Sequence, residues 1–483
     1  MSNAMRQVRR TFAAALALLA LPFAQAAAQA DTSGNPASRA GSTPSRAEVK
    51  TRVDSLARAF LAEPESPGLS IAVIRAGRDT LVFQGYGKAD IENDVPATPA
   101  TVYRIGSITK QFTAAAVMRL VENGSVRLGD TIGKYLPNLP KAWRGVRVRQ
   151  LLNHTSGIPS YTDLGDSWAK RWGEHMSPDT LVALTADKPM DFPPGTGWRY
   201  DNTGYVLLGM LIEKVSGKPY AAYLDSTMFQ PLGLESTRYC DREPLIPHRA
   251  RGYARKGKDF ANAPYLDMSQ PYAAGALCST VGDLARWNRL LATGKVVSPA
   301  SYSQMTTPEG KANLNHYGFG LVRNAVGSHI VIEHGGGIHG FITSNAYFPN
   351  DSLSITVLTN AAPSDPDALL DNIARAVFGM PLEQPIQAAQ EVPLPDSVRS
   401  AVQGKYNVDM GAKKMVITFF ADSTGLRTQA EGQSSFPIYY AGGLTFAAKV
   451  DPSLRIHFDV ENGRATRVTV EQRGAKHGGP RVP

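Results

Sequence analysis

The sequence predicts an α/β protein of the α+β kind. One antiparallel sheet, flanked by terminal helices, is interrupted by an all-helical insertion and followed by a small all-β domain. Three observations predict it. Strand-like runs occur at 69–86 and again at 329–358, with helical texture between them. Apolar stripes at helical spacing precede the first strands and follow the last. Beyond prolines 381, 385, 393 and 395 only short strand-like runs remain, separated by Gly, Asp and Asn.

The chain has 483 residues, enough for a large core and two or three domains. Its first thirty residues read as an export signal. After Ser2-Asn3-Ala4, which looks like an expression scar, Arg6 to Arg10 supplies three arginines, Phe12–Leu21 is continuously apolar, and Ala28-Gln29-Ala30 is an A-x-A cleavage site before Asp31. That run is too short to span a membrane, and no later run approaches about eighteen apolar residues. No cysteine follows the cleavage point to carry a lipid, so a periplasmic or secreted location is expected. Residues 31–45, rich in Ser, Gly, Pro and Ala, read as a disordered leader. The two cysteines, Cys240 and Cys278, are compatible with a disulfide or with isolated buried thiols. A formal net charge of +9 suggests nucleic acid or an anionic surface, but the basic residues are scattered and no nucleic-acid motif accompanies them.

Within the main domain, 46–380, a helix is predicted at Arg46–Leu61 from Val49, Val53, Leu56 and Phe60, then strands at Leu69–Ile74 and Thr80–Tyr86. The next helix enters at Tyr103-Arg-Ile-Gly-Ser107-Ile-Thr-Lys110 and runs to Glu122, where Asn123-Gly124 stops it. Apart from Lys110 at its entrance it is uncharged until Arg119, so it is expected to be buried nearly all round. From Leu128 to about Gly294 the texture is helical, with helices at Tyr205–Val215, Tyr220–Phe229 and Val281–Ala292. Strands follow at His329–Glu333, Phe341–Phe348 and Leu353–Leu358, then a last helix at Asp365–Phe378. A linker at 381–397 leads to a β domain at 398–473, and 474–483 reads as a disordered tail.

The chemistry is expected at the entrance of the buried helix. Ser107 and Lys110, three apart, share a helix face about 5 to 6 Å apart at Cβ. A desolvated lysine near a helix's positive end can lose its proton and activate the hydroxyl. A second Ser-x-x-Lys, Ser167 to Lys170, lies in a polar, Trp-rich segment without a sustained apolar stripe and is set aside. Tyr200-Asp-Asn202, before a predicted helix, offers a phenol to shuttle protons and an amide to hold a lysine or a carbonyl; a core tyrosine beside a capping Asn is the plainer reading. His334-Gly335-Gly336-Gly337 follows a predicted strand. Gly335, Gly337 and Gly340 satisfy G-x-G-x-x-G, but strand rather than helix follows, so no dinucleotide is expected. Glycines on an edge strand instead let a substrate's backbone lie close and leave an N–H to face an oxyanion.

Ser107-x-x-Lys110, Leu151-Leu-Asn-His154-Thr-Ser-Gly-Ile-Pro159, Tyr200-x-Asn202 and His334-Gly-Gly, in this order, resemble the class C β-lactamase and penicillin-recognising serine hydrolase superfamily. Gly275–Thr280 and Asp283–Trp287 also look like that family, and the match spans roughly Arg46 to Pro381. The resemblance implies a β-lactamase-like fold in which Ser107 attacks an ester or amide carbonyl to form an acyl-enzyme. It gives Lys110 and Tyr200 the base role and Asn202 the orientation of Lys110 and the acyl chain. It assigns the oxyanion hole to the N–H groups of Ser107 and Gly337, and substrate contacts to Asn202, His334, Gly335, Gly336 and Gly337. His154 is assigned to structure, and no metal or other cofactor is implied. His334-Gly-Gly stands where antibiotic-hydrolysing members place Lys-Thr-Gly. This removes a permanent cation and resembles the esterase and D-aminopeptidase branch. The appended β domain resembles lipocalin-like extensions. Tyr161, Trp168, Trp172 and Trp198 are candidates for an apolar acyl pocket. The expected partner is a small ester, amide or peptide, with β-lactams and cell-wall fragments in the same class. The rival readings are a penicillin-binding module acylated without efficient turnover and an inactive scaffold. The sequence leaves the oligomeric state and the β domain's role open; the short proline linker suggests that the domain shapes access to the cleft.

Overall fold

The computed structural model describes residues 44–63, 65–383, 389–409, 414–422, 425–431, 435–448, 451–472 and 475–482. The expected signal segment, and the leader up to residue 43, lie outside the described residues. The chain divides into two compact units between Leu382 and Glu383.

In the first unit, helix α1 (Arg46–Ala62) starts at Ser45, whose hydroxyl accepts the Glu48 N–H while the Glu48 carboxylate accepts the Ser45 N–H, a reciprocal cap. Its buried stripe is Val49, Val53, Ala57 and Phe60. There follow strands β1 (Gly68–Arg75), β2 (Asp79–Asp90) and the short β3 (Val95–Pro96), then helices α2 (Thr109–Glu122), α3 (Asn202–Ser216) and α4 (Val281–Ala292). Strands β4 (Val322–Val326), β5 (His329–Ile338), β6 (Phe341–Phe348) and β7 (Leu353–Thr359) and helix α5 (Pro366–Phe378) complete the unit.

The sheet runs β3-β2-β1-β7-β6-β5-β4, with β1 against β7 so that Leu69 meets Thr359. One face is apolar and is covered by α1 and α5, whose Val49, Val53, Leu370 and Ile373 pack on Leu69, Ile71, Ile355 and Val357. Toward the insertion the sheet turns polar side chains that are matched rather than removed. Asn345 and Asn288 exchange amide hydrogen bonds at 2.7 and 2.8 Å, and Thr356 donates to Asn345.

The insertion departs from the all-helical expectation in four short strands, Arg238–Tyr239, Tyr253–Lys256, Asp259–Asn262 and Leu277–Ser279. Runs of two to four residues are too short to display a period. Cys278 lies on the last of these beside Cys240; both are buried free thiols. Among the described residues no helix is long and apolar enough to cross a membrane.

The second unit is a nearly closed nine-stranded antiparallel barrel. Its strands are β8 (Gly404–Asp409), β9 (Lys414–Asp422), β10 (Gly425–Ala430), β11 (Phe436–Pro437), β12 (Tyr439–Gly442), β13 (Thr445–Ala448), β14 (Asp451–Glu461), β15 (Arg464–Gln472) and β16 (Ala475–Val482). The interior is filled by Tyr406, Phe419, Phe446 and Phe458, whose rings meet edge to face. The expected disordered tail is corrected: Ala475–Val482 is the strand between β8 and β15. Its Gly478-Gly479-Pro480 reads as a strand breaker, yet glycine is what the position requires. A Cβ on Gly479 would stand 1.9 Å from the Asn407 carbonyl oxygen.

Candidate active site

The serine helix is built as a buried rod. Phe112, Ala114–Met118 and Leu120 are all shielded, and its entrance is a 3-10 turn, Gly106–Ile108, leading into α2. Gly106 has φ +50°, and a Cβ there would lie 2.9 Å from the Gly337 nitrogen. Positive φ and close approach both demand glycine, and the residue before the nucleophile is thereby pressed against β5.

Ser107 is 7% exposed, and Lys110 is fully buried. Lys110 Nζ stands 3.2 Å from Ser107 Oγ, 2.8 Å from Asn202 Oδ1 and 2.8 Å from the Ala274 carbonyl oxygen. Burial pushes the Lys110 amine well below the usual lysine range, with Asp201 opposing. Two of its neighbours only accept hydrogen bonds, whereas the third is a hydroxyl. A neutral amine fits this setting: two N–H groups on the carbonyls and a lone pair toward the Ser107 hydroxyl.

Asn202 begins α3, capped by Asp201, whose carboxylate accepts the Gly204 N–H and the Ser156 hydroxyl, each at 3.0 Å. The Asn202 amide nitrogen donates to Thr162, which fixes its oxygen toward Lys110. The Tyr200 ring lies 4.7 Å from Lys110 Nζ. Burial raises the phenol above its ordinary value, so it is protonated at neutral pH. Tyr200 Oη is buried with no partner of standard hydrogen-bond geometry among the described residues, although the Ser107 hydroxyl is near enough to favour its ionised form. Sequence-separated Ser107, Lys110, Tyr200 and Asn202 are therefore brought together.

His154 lies beneath them with φ +61°. Its Nδ1 accepts the Asp201 N–H at 3.1 Å, and its ring packs 4.3 Å from Tyr200 and 4.6 Å from Tyr317. Burial keeps it neutral.

On the opposite wall, β4 pairs with β5 along His329–Glu333, so from His334 to Ile338 that edge carries no neighbouring strand among the described residues. A Cβ on Gly336 would come 2.0 Å from the Ile105 carbonyl oxygen, which explains glycine there; one on Gly335 would meet nothing closer than 3.6 Å. His334 Nδ1 is 2.6 Å from the Gly335 carbonyl oxygen, and Nε2 is 2.9 Å from the Tyr317 hydroxyl. The carbonyl can only accept, so Nδ1 carries the proton and Nε2 accepts from Tyr317. Burial, aided by Lys110, pushes His334 down to about 3. Position 334 thus supplies neither a cation nor a free donor in this arrangement.

The aromatic candidates separate. Tyr161, Trp168 and Trp172 form a chain of edge-to-face rings reaching His339, tied down by Gln270, which takes the Trp168 N–H and donates to the Arg171 carbonyl. Trp198 instead packs on His154 and Tyr317. Ser167 is exposed and bonds the Leu164 carbonyl, away from any lysine partnership. Reading the sequence missed Tyr317 and the Ala274 carbonyl. The glycines of Tyr317-Gly-Phe-Gly320 were a signal: a Cβ on Gly320 would lie 2.5 Å from the Lys110 carbonyl oxygen. A backbone oxygen leaves no signature in residue type. No three His, Cys, Asp or Glu side chains stand together as metal ligands among the described residues.

A β-lactamase-like sheet and insertion enclosing a buried Ser-x-x-Lys define the class: the class C and penicillin-binding-protein-like serine hydrolases. The Beta-lactamase family matches residues 53–379, and the chain belongs to that family. Penicillin-binding protein 4* of Bacillus subtilis (strain 168) is 29% identical over 370 residues, covering 71% of this chain and 80% of that protein. The octameric penicillin-binding protein homologue from Pyrococcus abyssi superposes with a TM-score of 0.63 at 26% identity, covering 89% of this chain and 99% of that one. D-amino acid amidase from Ochrobactrum anthropi SV3, complexed with L-phenylalanine amide, gives a TM-score of 0.62 at 26% identity, over 69% of this chain and 99% of that one.

Proposed function

We propose that the chain is an exported hydrolase of small esters, amides and peptides that works through an acyl group on Ser107. The observation that carries this reading is the triple setting of Lys110 Nζ, with two carbonyl acceptors and the Ser107 hydroxyl. As Ser107 Oγ bonds to the substrate's carbonyl carbon, its proton passes to the Lys110 amine. The carbonyl oxygen, now an oxyanion, is met by the N–H groups of Ser107 and Gly337, where one such donor is worth about 3 to 4 kcal/mol. Collapse breaks the bond to the leaving amine or alcohol, which takes its proton through Tyr200, a phenol at neutral pH. Water then attacks the acyl carbon by the same relay in reverse and frees Ser107.

The neutral, fully engaged His334 argues against efficient β-lactam hydrolysis, because no fixed cation stands there to hold a carboxylate. The likeness to D-amino acid amidase makes amides of D-amino acids the first substrates to assay. The test is turnover of p-nitrophenyl esters, D-phenylalanine amide and nitrocefin by wild type and Ser107→Ala. Ester or amide turnover that vanishes with Ser107, with nitrocefin slow, is the expected result; turnover retained by Ser107→Ala overturns the proposal. A single burst without turnover favours the penicillin-binding module that the relatives' names suggest. Export is checked separately, by periplasmic recovery of a protein whose N-terminus is Asp31.

A further inference from the structure

Thr109, Lys110 and Thr113 share one side of α2 by their three- and four-residue spacing, and that side faces the short helical turn Tyr272–Gly275. Each is bonded to that turn or to the strand just after it. Thr113 Oγ1 stands 2.7 Å from the Ala273 carbonyl oxygen, Lys110 Nζ stands 2.8 Å from the Ala274 carbonyl oxygen, and the Leu277 N–H donates to the Thr109 hydroxyl at 3.1 Å. Leu277 in turn accepts the Ile105 N–H at 3.0 Å, two residues before Ser107. From the far side α3 presses on the same turn, where a Cβ on Gly209 would come 2.6 Å from Ala273 Cβ.

The direction of the bonds at Thr113 can be worked out. A buried helical threonine usually turns its hydroxyl back to the carbonyl four residues earlier. Here that oxygen, of Thr109, is 3.4 Å away, and the Ala273 oxygen is nearer by 0.7 Å (3.4 less 2.7). A hydroxyl has one proton and a carbonyl can only accept, so the Thr113 proton lies on Ala273. The Tyr220 hydroxyl, 2.6 Å from Thr113 Oγ1, is therefore the donor of that pair. Tyr220, Thr113 and Ala273 form a chain in which each bond polarises the next, and all three residues are buried. Valine has the shape of threonine, so bulk alone does not call for a hydroxyl at this position. The peptide group is planar, so fixing the Ala273 carbonyl also fixes the Ala274 nitrogen, whose own residue supplies the oxygen that Lys110 uses.

We propose that Thr113, with Tyr220 behind it, is a positioning residue for the reaction at Ser107. Its hydroxyl holds the Ala273 carbonyl so that the next carbonyl, of Ala274, keeps Lys110 Nζ directed at Ser107 Oγ. This rests on the reading of Lys110 as the base. Without the Thr113 hydroxyl the turn loses its middle tie to α2, and the amine loses the fixed position of one of its two carbonyl acceptors.

The test is saturable labelling of Ser107 by a fluorophosphonate, which gives a maximal rate and a half-saturating concentration. In that reaction the serine oxygen bonds to phosphorus, fluoride leaves, and the serine proton goes to the Lys110 amine. Thr113→Val should lower the maximal rate about tenfold, less than the roughly 10²-fold cost of a 1 Å misplacement, and leave the half-saturating concentration unchanged. Thr113→Ser, which keeps the hydroxyl, should recover most of the rate. Tyr220→Phe should lower it by about two- to fivefold, because Thr113 keeps its own donor. A wild-type maximal rate in folded Thr113→Val, a change confined to the half-saturating concentration, or no recovery in Thr113→Ser overturns the inference. Should Thr113→Val not fold, a wild-type maximal rate in Tyr220→Phe overturns it. Lys110→Met separates the two claims: wild-type labelling by that variant sinks the base assignment itself, whereas loss of labelling there with a wild-type rate in Thr113→Val sinks only the role of Thr113.

Discussion

A lysine amine in a dry site has few ways to satisfy its neighbours, and that constraint fixes the chemistry available at Ser107. Two carbonyl oxygens and one hydroxyl suit a neutral amine, and burial favours that form. Removing the hydroxyl or the base should therefore have unequal effects. Ser107→Ala is expected to lower kcat by at least about 10³-fold, since the covalent route is gone. Lys110→Met should lower it by about 10²- to 10⁴-fold, the range of a lost general base. Both are read from steady-state kinetics alongside unchanged circular dichroism. The direction of the Lys110 shift also predicts that activity is already high well below the ordinary lysine value of 10.5. A rate that climbs only as pH approaches that value would mean that the amine is not desolvated in solution.

Two elements, the edge of β5 and the start of α3, carry the site's geometry, and they differ in how far the sequence disclosed them. Helix α4 and strand β6 have the limits that the sequence predicts, because each is bounded by a local signal: Thr280 caps the start of α4, and a 3-10 turn at Pro349–Asp351 ends β6. Strand β5 was predicted to end at Glu333 but runs to Ile338. Glycines have no strand preference of their own, so pairing with β6, not local propensity, carries it onward. Gly336→Ala tests that edge. The new methyl would collide with the Ile105 carbonyl and push β5 off the serine turn, and the loss of the Gly337 donor should cost about 10²- to 10³-fold in kcat. Tyr317, which no periodicity marks, is tested by Tyr317→Phe. His334 Nε2 then stays buried without its donor, and the variant should lose about 1 to 3 kcal/mol by denaturant unfolding. At α3 the sign of a pH effect can be worked out. Asp201 is raised from 3.8 to about 7 in the folded chain. Folded protein thus binds that proton more tightly than unfolded protein, and stability from this group falls as pH rises between these values. Asp201→Asn should gain in Tm over wild type at pH 8, with the gap closing toward pH 4.

At the scale of the whole chain, the barrel's hydrophobic core is built from a stretch of sequence separate from that of the first unit's cores. The clusters of the first unit draw on residues up to Val377, and the barrel core on Val402 to Val470. The β character of the second unit was legible from its short strands. The resemblance to lipocalin-like extensions agrees with the nearly closed barrel, whereas the strand that completes it was missed, because β16 shows no alternation of apolar and polar residues. That strand nonetheless lies between β8 and β15, pairing Tyr406 with Arg481 on one side and Val468 with Gly479 on the other. Removing it would leave two unpaired edges in the middle of a nine-stranded sheet and uncover a core centred on Tyr406 and Phe458. Independent cores predict two calorimetric transitions for the full chain. Deleting 475–483 should abolish or sharply lower the barrel's transition and leave the other in place, with fluorophosphonate labelling of Ser107 retained. If the deletion left both transitions intact, 475–482 would not be an integral strand. If it destroyed both, the two units would not fold independently.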